Sequence, residues 1–292
     1  MLLRALPLIA AFALGSATPA GAAGDIDAYR GLGTWVSIYS RTTLADPIGT
    51  AVQMRRNGVR TLYLETANWR QKVDVVRPGT MAAMIEAAHA AGIKVVAWYL
   101  PSYKPLRTDV RRALAAIAFT TPTGQHFDGF ALDIEATEVG SIPLRNRLQG
   151  RLAATLRRSV GPDYALGAIV PEAGALFWPG FPYAQTARYF DVFLPMAYFT
   201  FRVSGAGTVR SYVARNVATI KAVVGPDTPV HPIGGLADKA TPSEVRAYVR
   251  ATRAGGAIGG SLYDFNGTAP QAWSLMQGIP QADLLSTPSA SG

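Results

Sequence analysis

The 292-residue chain contains no cysteine and only three histidines. Without cysteine the protein can form no disulfide bond, thiolate metal site or cysteine nucleophile, and it cannot carry a lipid on an N-terminal cysteine. His89 and His126 lie apart without the close spacing of metal ligands, and His231 in TPVHPIGG fits a buried structural imidazole. We therefore predict neither a metal site nor a cofactor.

Long hydrophobic runs are also rare, and the one candidate lies at the N-terminus. Arg4 precedes an apolar run over residues 5–15 and the small residues Ala20-Gly21-Ala22, which is the pattern of a secretory signal with its cleavage site. A membrane anchor is the alternative, but a span needs about 20 apolar residues and this run is shorter. The sequence predicts a signal peptide over residues 1–22, a secreted or cell-envelope location, and no stable membrane insertion after cleavage.

Charged residues make up only 16% of the chain, and their balance is positive, with a formal net charge of +9. Loss of the single arginine in residues 1–22 lowers this charge by one. A basic exported protein suits anionic surroundings such as cell-wall polymers. Because the lysines and arginines are scattered along helical segments without interleaved aromatic residues, we do not predict nucleic acid as a partner.

Apolar strand-like segments alternate with amphipathic helical segments along the rest of the chain. The strand-like segments have no polar face, which is typical of parallel strands covered by helices. A doubly wound open sheet is the alternative, but SIYSRTTLADP, after the first strand, lacks the glycine-rich phosphate turn of that fold. Eight strand–helix units over about 260 residues match a (β/α)8 TIM barrel. We predict one α/β domain of this fold over residues 23–285 and a disordered tail over 286–292.

The boundaries of the elements follow from composition and from glycine, proline and cap residues. The predicted strands are Thr34–Tyr39, Val59–Glu65, Lys94–Leu100, Gly129–Glu135, Ala165–Val170, Val192–Tyr198, Val230–Gly234 and Gly260–Phe265. The predicted helices are Thr80–Ala91, Asp109–Ala118, Leu144–Ser159, Val209–Val224 and Ser243–Thr252.

Acidic and aromatic residues recur where the predicted strands end, which is where such barrels carry their chemistry. Carboxylates bind sugar hydroxyls and supply acid–base catalysis, while aromatic rings stack on the apolar faces of pyranoses. The sequence predicts a carbohydrate-binding cleft lined by Glu65, Trp69, Trp98, Tyr99, Glu172, Trp178, Met196, Tyr198, Tyr263 and Asp264.

Several of these residues also have a structural interpretation. Glu65 is equally suited to a cap or an ion pair, Asp264 precedes an Asn-Gly turn, and Trp98, like Trp35, fits the core of a barrel. The pair Asp133 and Glu135 in FDGFALDIEA is different, because residues i and i+2 of a strand point the same way. Burying two like charges side by side is costly, so we assign this pair to function.

Proximity in a cleft of low dielectric constant pushes up the pKa of one acid of such a pair. Glu135, longer and nearer the mouth, is predicted to be the general acid. Asp133, deeper, is predicted to orient a reacting group or to stabilise developing positive charge. A route with two catalytic carboxylates stays open, with Glu65, Glu172 or Asp264 as the second acid.

The segment FDGFALDIEA resembles the signature strand of the family 18 glycoside hydrolases, the chitinases and endo-N-acetylglucosaminidases, whose pattern is Asp-x-x-Asp-x-Asp-x-Glu. Asp128, Asp133 and Glu135 match its first, third and last acidic positions, and Ala131 stands at the second. The segments GAIVPEA, FLPMAYF and GGSLYDF are similar to the fifth, sixth and eighth strands of that family. Phe199 replaces a usual aspartate there, and Tyr263 replaces a usual tryptophan.

The resemblance implies a substrate-assisted mechanism, in which the N-acetyl carbonyl of the sugar attacks its own anomeric carbon. Glu135 would protonate the glycosidic oxygen and then activate water, Asp133 would hold the acetamide, and Tyr198 would hydrogen-bond its carbonyl. The predicted function is an exported glycoside hydrolase acting on an amino-sugar polysaccharide such as peptidoglycan, chitin or an exopolysaccharide.

Three other interpretations remain. Loss of the acid at Ala131 favours a non-catalytic carbohydrate-binding barrel, and a polysaccharide-processing accessory that needs partner proteins is a further alternative. The family 25 lysozymes share an Asp-x-Glu pair but usually carry an aspartate on the first strand, and GTWVSIYS has none.

Overall fold

The computed structural model describes residues 25–280. The predicted signal peptide and the predicted tail lie outside the described residues and remain predictions. Eight strands are described: Gly31–Val36 (β1), Thr61–Asn68 (β2), Lys94–Leu100 (β3), Gly129–Asp133 (β4), Leu166–Val170 (β5), Val192–Pro195 (β6), Ile233–Leu236 (β7) and Gly259–Tyr263 (β8). Ten α-helices are described: Arg41–Ala45 (α1), Pro47–Arg56 (α2), Pro78–Ala90 (α3), Leu106–Ile117 (α4), Ile142–Val160 (α5), Tyr183–Thr186 (α6), Phe199–Arg202 (α7), Ala206–Val224 (α8), Pro242–Ala254 (α9) and Pro270–Met276 (α10).

All the strands pair in parallel, in the spatial order β6-β5-β4-β3-β2-β1-β8-β7. Two isolated bridges, Phe193 to Val230 and Met196 to Ile233, join β6 to the segment around β7. The backbone N–H of His231 donates to the Phe193 carbonyl at 2.8 Å. These contacts close the ring, and the predicted (β/α)8 barrel is confirmed.

The predicted and observed strands differ mainly at their ends, for physical reasons. Strands β4 and β6 end at Asp133 and Pro195, so Glu135 and Tyr198 follow these strands in loops rather than within them. The strand predicted at Val230–Gly234 is observed at Ile233–Leu236. Pro232 has no backbone N–H for a ladder bond, so the regular strand begins after it.

The predicted helices occur, but each begins one to three residues earlier than its sequence pattern indicated. Helices α3, α5 and α9 carry a proline in their first turn, where its missing N–H costs no hydrogen bond. At the start of α9, Thr241 and Glu244 form a reciprocal capping box.

The inside of the barrel is closed at its amino-terminal end by Tyr29, from a 3-10 turn that precedes β1. The Tyr29 hydroxyl donates to the carbonyls of Phe130 at 2.8 Å and Ala165 at 3.2 Å. A side chain on Gly167 would place its Cβ 2.7 Å from the Tyr29 ring. The aromatic plug therefore requires glycine at this position of β5.

His231 lies wholly buried inside the barrel. Its Nδ1 is 2.8 Å from the Tyr29 carbonyl oxygen, and its Nε2 is 3.2 Å from the Ser261 hydroxyl. Burial lowers the pKa of His231 to about 4, so the imidazole is neutral at pH 7. This agrees with the structural interpretation of His231 from the sequence.

We predict that Gly167→Ala destabilises the protein by about 1–3 kcal/mol, because the added methyl group overpacks Tyr29. Urea unfolding followed by circular dichroism measures the change. Gly207→Ala, in α8, is the control, since a Cβ there meets nothing within 4 Å. Equal stability of the Gly167→Ala variant and the parent protein would show that the Tyr29 ring can move aside, which would contradict tight packing of this ring against Gly167.

Candidate active site

A cavity of about 270 Å³ lies at the carboxyl ends of the strands. Side chains from most of the strands converge on it because alternate residues of each strand point into the barrel. It is lined by Trp35, Ser37, Tyr39, Glu65, Asn68, Arg70, Trp98, Leu100, Asp133, Glu135, Ile169, Met196, Tyr198, Ile233, Leu236 and Tyr263.

Three acids meet in this cavity, and Glu65 is the most firmly held. Glu65 Oε2 accepts a hydrogen bond from the Ile38 backbone at 3.0 Å, and Oε1 accepts one from Asn68 Nδ2 at 3.0 Å. The register of β2 against β3 shifts between Glu65 and Ala67. This bulge lets Glu65 and Asn68, three residues apart, both line the cavity, whereas a regular strand would point them to opposite faces.

Asp133, the last residue of β4, is buried to 7% exposure beneath the mouth of the cavity. Its Oδ1 has no hydrogen-bond partner within residues 25–280. Burial raises the pKa of Asp133 well above its ordinary value, and the negative charges of Glu135 and Glu65 raise it further. Asp133 is therefore a buried acid that lines the cavity and has one oxygen without a partner among the described residues.

Glu135 lies two residues beyond the end of β4 and is half-buried. Burial raises its pKa, and the nearby charge of Glu138 adds to the increase, while the Arg70 guanidinium opposes it. A carboxyl group with a raised pKa retains its proton at higher pH, as a general acid must.

Aromatic side chains form the floor and one wall of the cavity. The Trp35 ring stacks on Tyr63 with centroids 4.2 Å apart and meets Trp98 edge-on at 5.8 Å. The rings of Tyr198 and Tyr263 lie 6.3 Å apart. The buried Nε1 of Trp98 has no partner in the described part of the chain, so it is a second polar atom left free at this site.

A second cavity of about 250 Å³ adjoins the first and shares Glu135, Met196 and Tyr198 with it. Glu172 lies in this second cavity, where its Oε1 is 2.6 Å from Arg202 Nε. The carboxyl group of Glu135 therefore stands between two neighbouring cavities. That position suits an acid acting on a bond between two sugar units.

Two residues predicted for the cleft lie elsewhere and are removed from the candidate site. Tyr99 points outward from β3 into the layer beneath the helices, and its hydroxyl donates to Asp109 Oδ1 at 2.6 Å. Trp178 is 1% exposed in the same outer layer, where its Nε1 donates to Asn146 Oδ1 at 2.7 Å. In both cases, packing between helices and strands accounts for the aromatic ring.

Trp69 and Asp264 also do not line either cavity. The ring of Trp69 lies against Arg70, whose guanidinium carbon is 4.4 Å from the ring centroid. Asp264 Oδ1 accepts a hydrogen bond from the Gly267 backbone at 3.0 Å. This contact agrees with the turn that the sequence indicated at Asp264. The other predicted residues of the site are brought together.

Cavity residues that sequence analysis did not assign to the site are chiefly Trp35, Ser37, Tyr39, Asn68 and Arg70. Trp35, Ser37 and Tyr39 lie at or just after the end of the first strand, so the rule that chemistry gathers at strand ends could have identified them. Asn68 and Arg70 depend on the extension of β2 past its bulge, and a bulge leaves no clear mark in a sequence.

Asp128, the first acid of the motif, lies at the opposite, amino-terminal end of β4. Its carboxylate accepts from the Val95 backbone at 2.8 Å and lies 2.8 Å from His89 Nε2 and 3.0 Å from Lys94 Nζ. These contacts lower the pKa of Asp128, although burial alone would raise it. Asp128 thus fixes the strand rather than contributing to the cleft.

Within residues 25–280 no cluster of three or more histidines and acids could hold a metal ion. No helix in the same range is long and apolar enough to cross a membrane.

Comparison with protein-family models and with the sequences of curated proteins finds no match. Comparison with solved structures finds matches. The structural neighbours of the chain are glycoside hydrolases.

The endo-beta-1,4-mannanase from Thermotoga petrophila aligns with a TM-score of 0.63 at 11% identity, over 86% of this chain and 76% of the mannanase. The spore cortex-lytic enzyme SleL from Bacillus cereus aligns with a TM-score of 0.62 at 10% identity, over 85% and 74% of the two chains. A family 18 chitinase from Cycas revoluta, solved with (GlcNAc)4, aligns with a TM-score of 0.59 at 13% identity, over 85% and 97%. At these identities the likeness establishes the fold.

We predict that Asp133→Asn stabilises the folded protein at pH 7 by about 1 kcal/mol or more, because burial and two neighbouring charges oppose the ionisation of Asp133 in the folded state and an amide bears no such cost. The pKa of Asp133 is raised by folding, so the gain is present at neutral pH and shrinks as the pH falls and protonates the acid. Urea unfolding at pH 7 and pH 4 measures it.

The matched control is Asp128→Asn on the same strand. The pKa of Asp128 is lowered in the folded state, so its ionised form is stabilising, and this variant should lose stability at pH 7. If Asp133→Asn loses as much stability as Asp128→Asn, Asp133 is a structural acid.

Proposed function

We propose that the protein is a glycoside hydrolase that cleaves an amino-sugar-containing polysaccharide, with Glu135 as the general acid and base. The observation that carries the proposal is the position of Glu135, a carboxyl group with a raised pKa between two adjoining cavities. The neighbours that are a cortex-lytic enzyme and chitinases, by their names, support a substrate containing amino sugars.

In the first step, the acetamido carbonyl oxygen of the sugar attacks its own anomeric carbon and the glycosidic bond breaks. Glu135 gives its proton to the departing glycosidic oxygen. The Asp133 carboxyl group accepts the acetamide N–H, and the Tyr198 hydroxyl donates to the carbonyl, since both residues line the cavity. Positive charge that develops on the cyclised acetamide lowers the pKa of the adjacent Asp133 and is stabilised by its carboxylate form.

In the second step, water attacks the anomeric carbon, and the bond between the acetamido oxygen and the anomeric carbon breaks. Glu135, now ionised, takes the proton from that water and returns to its starting state. No protein nucleophile is needed, because the acetamido group forms the intermediate.

Among the acids considered for a route with two catalytic carboxylates, Glu65 is the one in the cavity with Asp133 and Glu135. Glu172 is paired with Arg202, and Asp264 caps a turn. If the substrate carries no acetamido group, Glu65 is therefore the candidate for the second acid.

We also propose that the protein is exported. The support is the signal pattern over residues 1–22 and the positive charge of the rest of the chain. A non-catalytic carbohydrate-binding barrel remains the competing function, favoured by Ala131 in place of the second motif acid.

We predict that Glu135→Gln lowers the rate of hydrolysis of chitin oligosaccharides or peptidoglycan by about 100-fold or more, because the amide keeps the shape and loses the transferable proton. New reducing ends measure the rate, and isothermal titration calorimetry measures binding, which should persist. Glu86→Gln, on α3 and outside the cleft, is the control and should retain full activity. Full activity of the Glu135→Gln variant would refute the assignment, and binding without release by the parent protein would favour the carbohydrate-binding barrel.

We predict that two neighbours of Glu135 shift the pH dependence of the reaction in opposite directions. Arg70→Gln removes a charge that lowers the pKa of Glu135, so the alkaline limb of the rate profile should move to higher pH. Glu138→Gln removes a charge that raises this pKa, so the limb should move to lower pH. Rates of hydrolysis between pH 4 and pH 9 provide the measurement, and shifts in the same direction would exclude Glu135 as the titrating acid.

A further inference from the structure

Helices α8 and α9 pack side by side on the outer wall of the barrel and carry an unbalanced positive charge. Their only acid is Glu244, which accepts hydrogen bonds from the backbones of Thr241 at 3.0 Å and Gly205 at 2.8 Å and so serves as a cap. Their six basic residues are Arg210, Arg215, Lys221, Arg246, Arg250 and Arg253. No carboxylate of these two helices is left to offset them.

A groove of about 580 Å³ runs between the two helices. Small side chains leave this space open, and arginine side chains border it. The groove is lined by Arg210, Ala214, Arg250, Ala251, Arg253 and Ala254.

The three arginines of the groove, Arg210, Arg250 and Arg253, are exposed, and none has a side-chain hydrogen bond or ion pair to any residue in 25–280. Some arginines elsewhere on the barrel, by contrast, are held by hydrogen bonds or ion pairs. Arg157, for example, pairs with Asp191 at 2.5 Å and also binds backbone carbonyls. The groove therefore presents three guanidinium groups that no described residue neutralises.

We propose that the groove between α8 and α9 binds the carboxylate groups of an acidic polysaccharide, at a site separate from the cleft that contains Glu135. A guanidinium group binds a carboxylate through two parallel hydrogen bonds, and a polymer that carries repeated carboxylates can engage more than one of the three groups in the groove. The groove has no aromatic ring on which a nucleotide base could stack and no apolar side chain larger than alanine to enter a lipid layer.

The site would act as an anchor. The groove lies on the outer wall, whereas the cleft opens at the carboxyl ends of the strands, so both can be occupied at once. Two sites on one polymer raise the effective concentration of the substrate at the cleft.

The test uses the full mature chain and sodium polygalacturonate as the probe, with its methyl-esterified form as the uncharged counterpart. Arg210→Glu, Arg250→Glu and Arg253→Glu are combined in one variant. Arg55→Glu, Arg158→Glu and Arg188→Glu, at exposed positions on other parts of the surface, form a control variant with the same net charge. Circular dichroism verifies the fold of both, and calorimetry at two salt concentrations measures binding.

The parent protein and the control variant should bind polygalacturonate in a salt-dependent manner, and the groove variant should lose about tenfold or more in affinity. The hydrolysis of a short neutral substrate should not change in the groove variant. Equal losses in both variants would show an effect of net charge alone and overturn the proposal, as would equal binding of the methyl ester. Tighter binding of duplex DNA than of polygalacturonate, lost in the groove variant, would overturn the assignment to a polysaccharide.

Discussion

Repulsion among three carboxyl groups in one partly buried cavity is the constraint on which the site depends. Glu65, Asp133 and Glu135 line a single cavity, and burial raises the pKa of each. An arrangement this costly in free energy persists only where a rigid surrounding structure holds it in place. The nearly closed ring of parallel strands is that structure, because neighbouring strands fix the positions of Glu65 and Asp133, and Glu135 follows only two residues after the end of β4.

The division of roles among the acids follows from their different surroundings. Glu65 has two hydrogen-bond donors, Asp133 has an oxygen without a partner, and Glu135 stands between two cavities with Arg70 and Glu138 acting on its pKa in opposite directions. The same chemical group is thus found as an anchored acid, as a buried acid with an unpartnered oxygen and, in the proposed mechanism, as a proton donor. Electrostatic setting, rather than residue type, distinguishes the three.

Much of this was open to prediction from the sequence, because strand and helix periodicity and the rule that chemistry lies at strand ends depend on local pattern. The barrel and the Asp133 and Glu135 pair followed from these rules. Tyr99 and Trp178 were misplaced because an aromatic residue near a strand end packs equally well under a helix, and alternation decides the face only when the register is known. Asn68 and Arg70 needed the bulge in β2, and the open groove between α8 and α9 needed the relative position of two helices that are distant in sequence.

In the proposed mechanism, the acetamido group of the substrate is held by Asp133 and takes part in the reaction at Glu135. The most direct measurement compares the release of new reducing ends from an N-acetylated polymer, such as soluble chitin, with release from the same polymer after de-N-acetylation. We expect hydrolysis of the acetylated polymer and loss of hydrolysis after the acetyl groups are removed. Equal hydrolysis of both polymers would contradict this mechanism and would point to Glu65 as a second catalytic carboxylate.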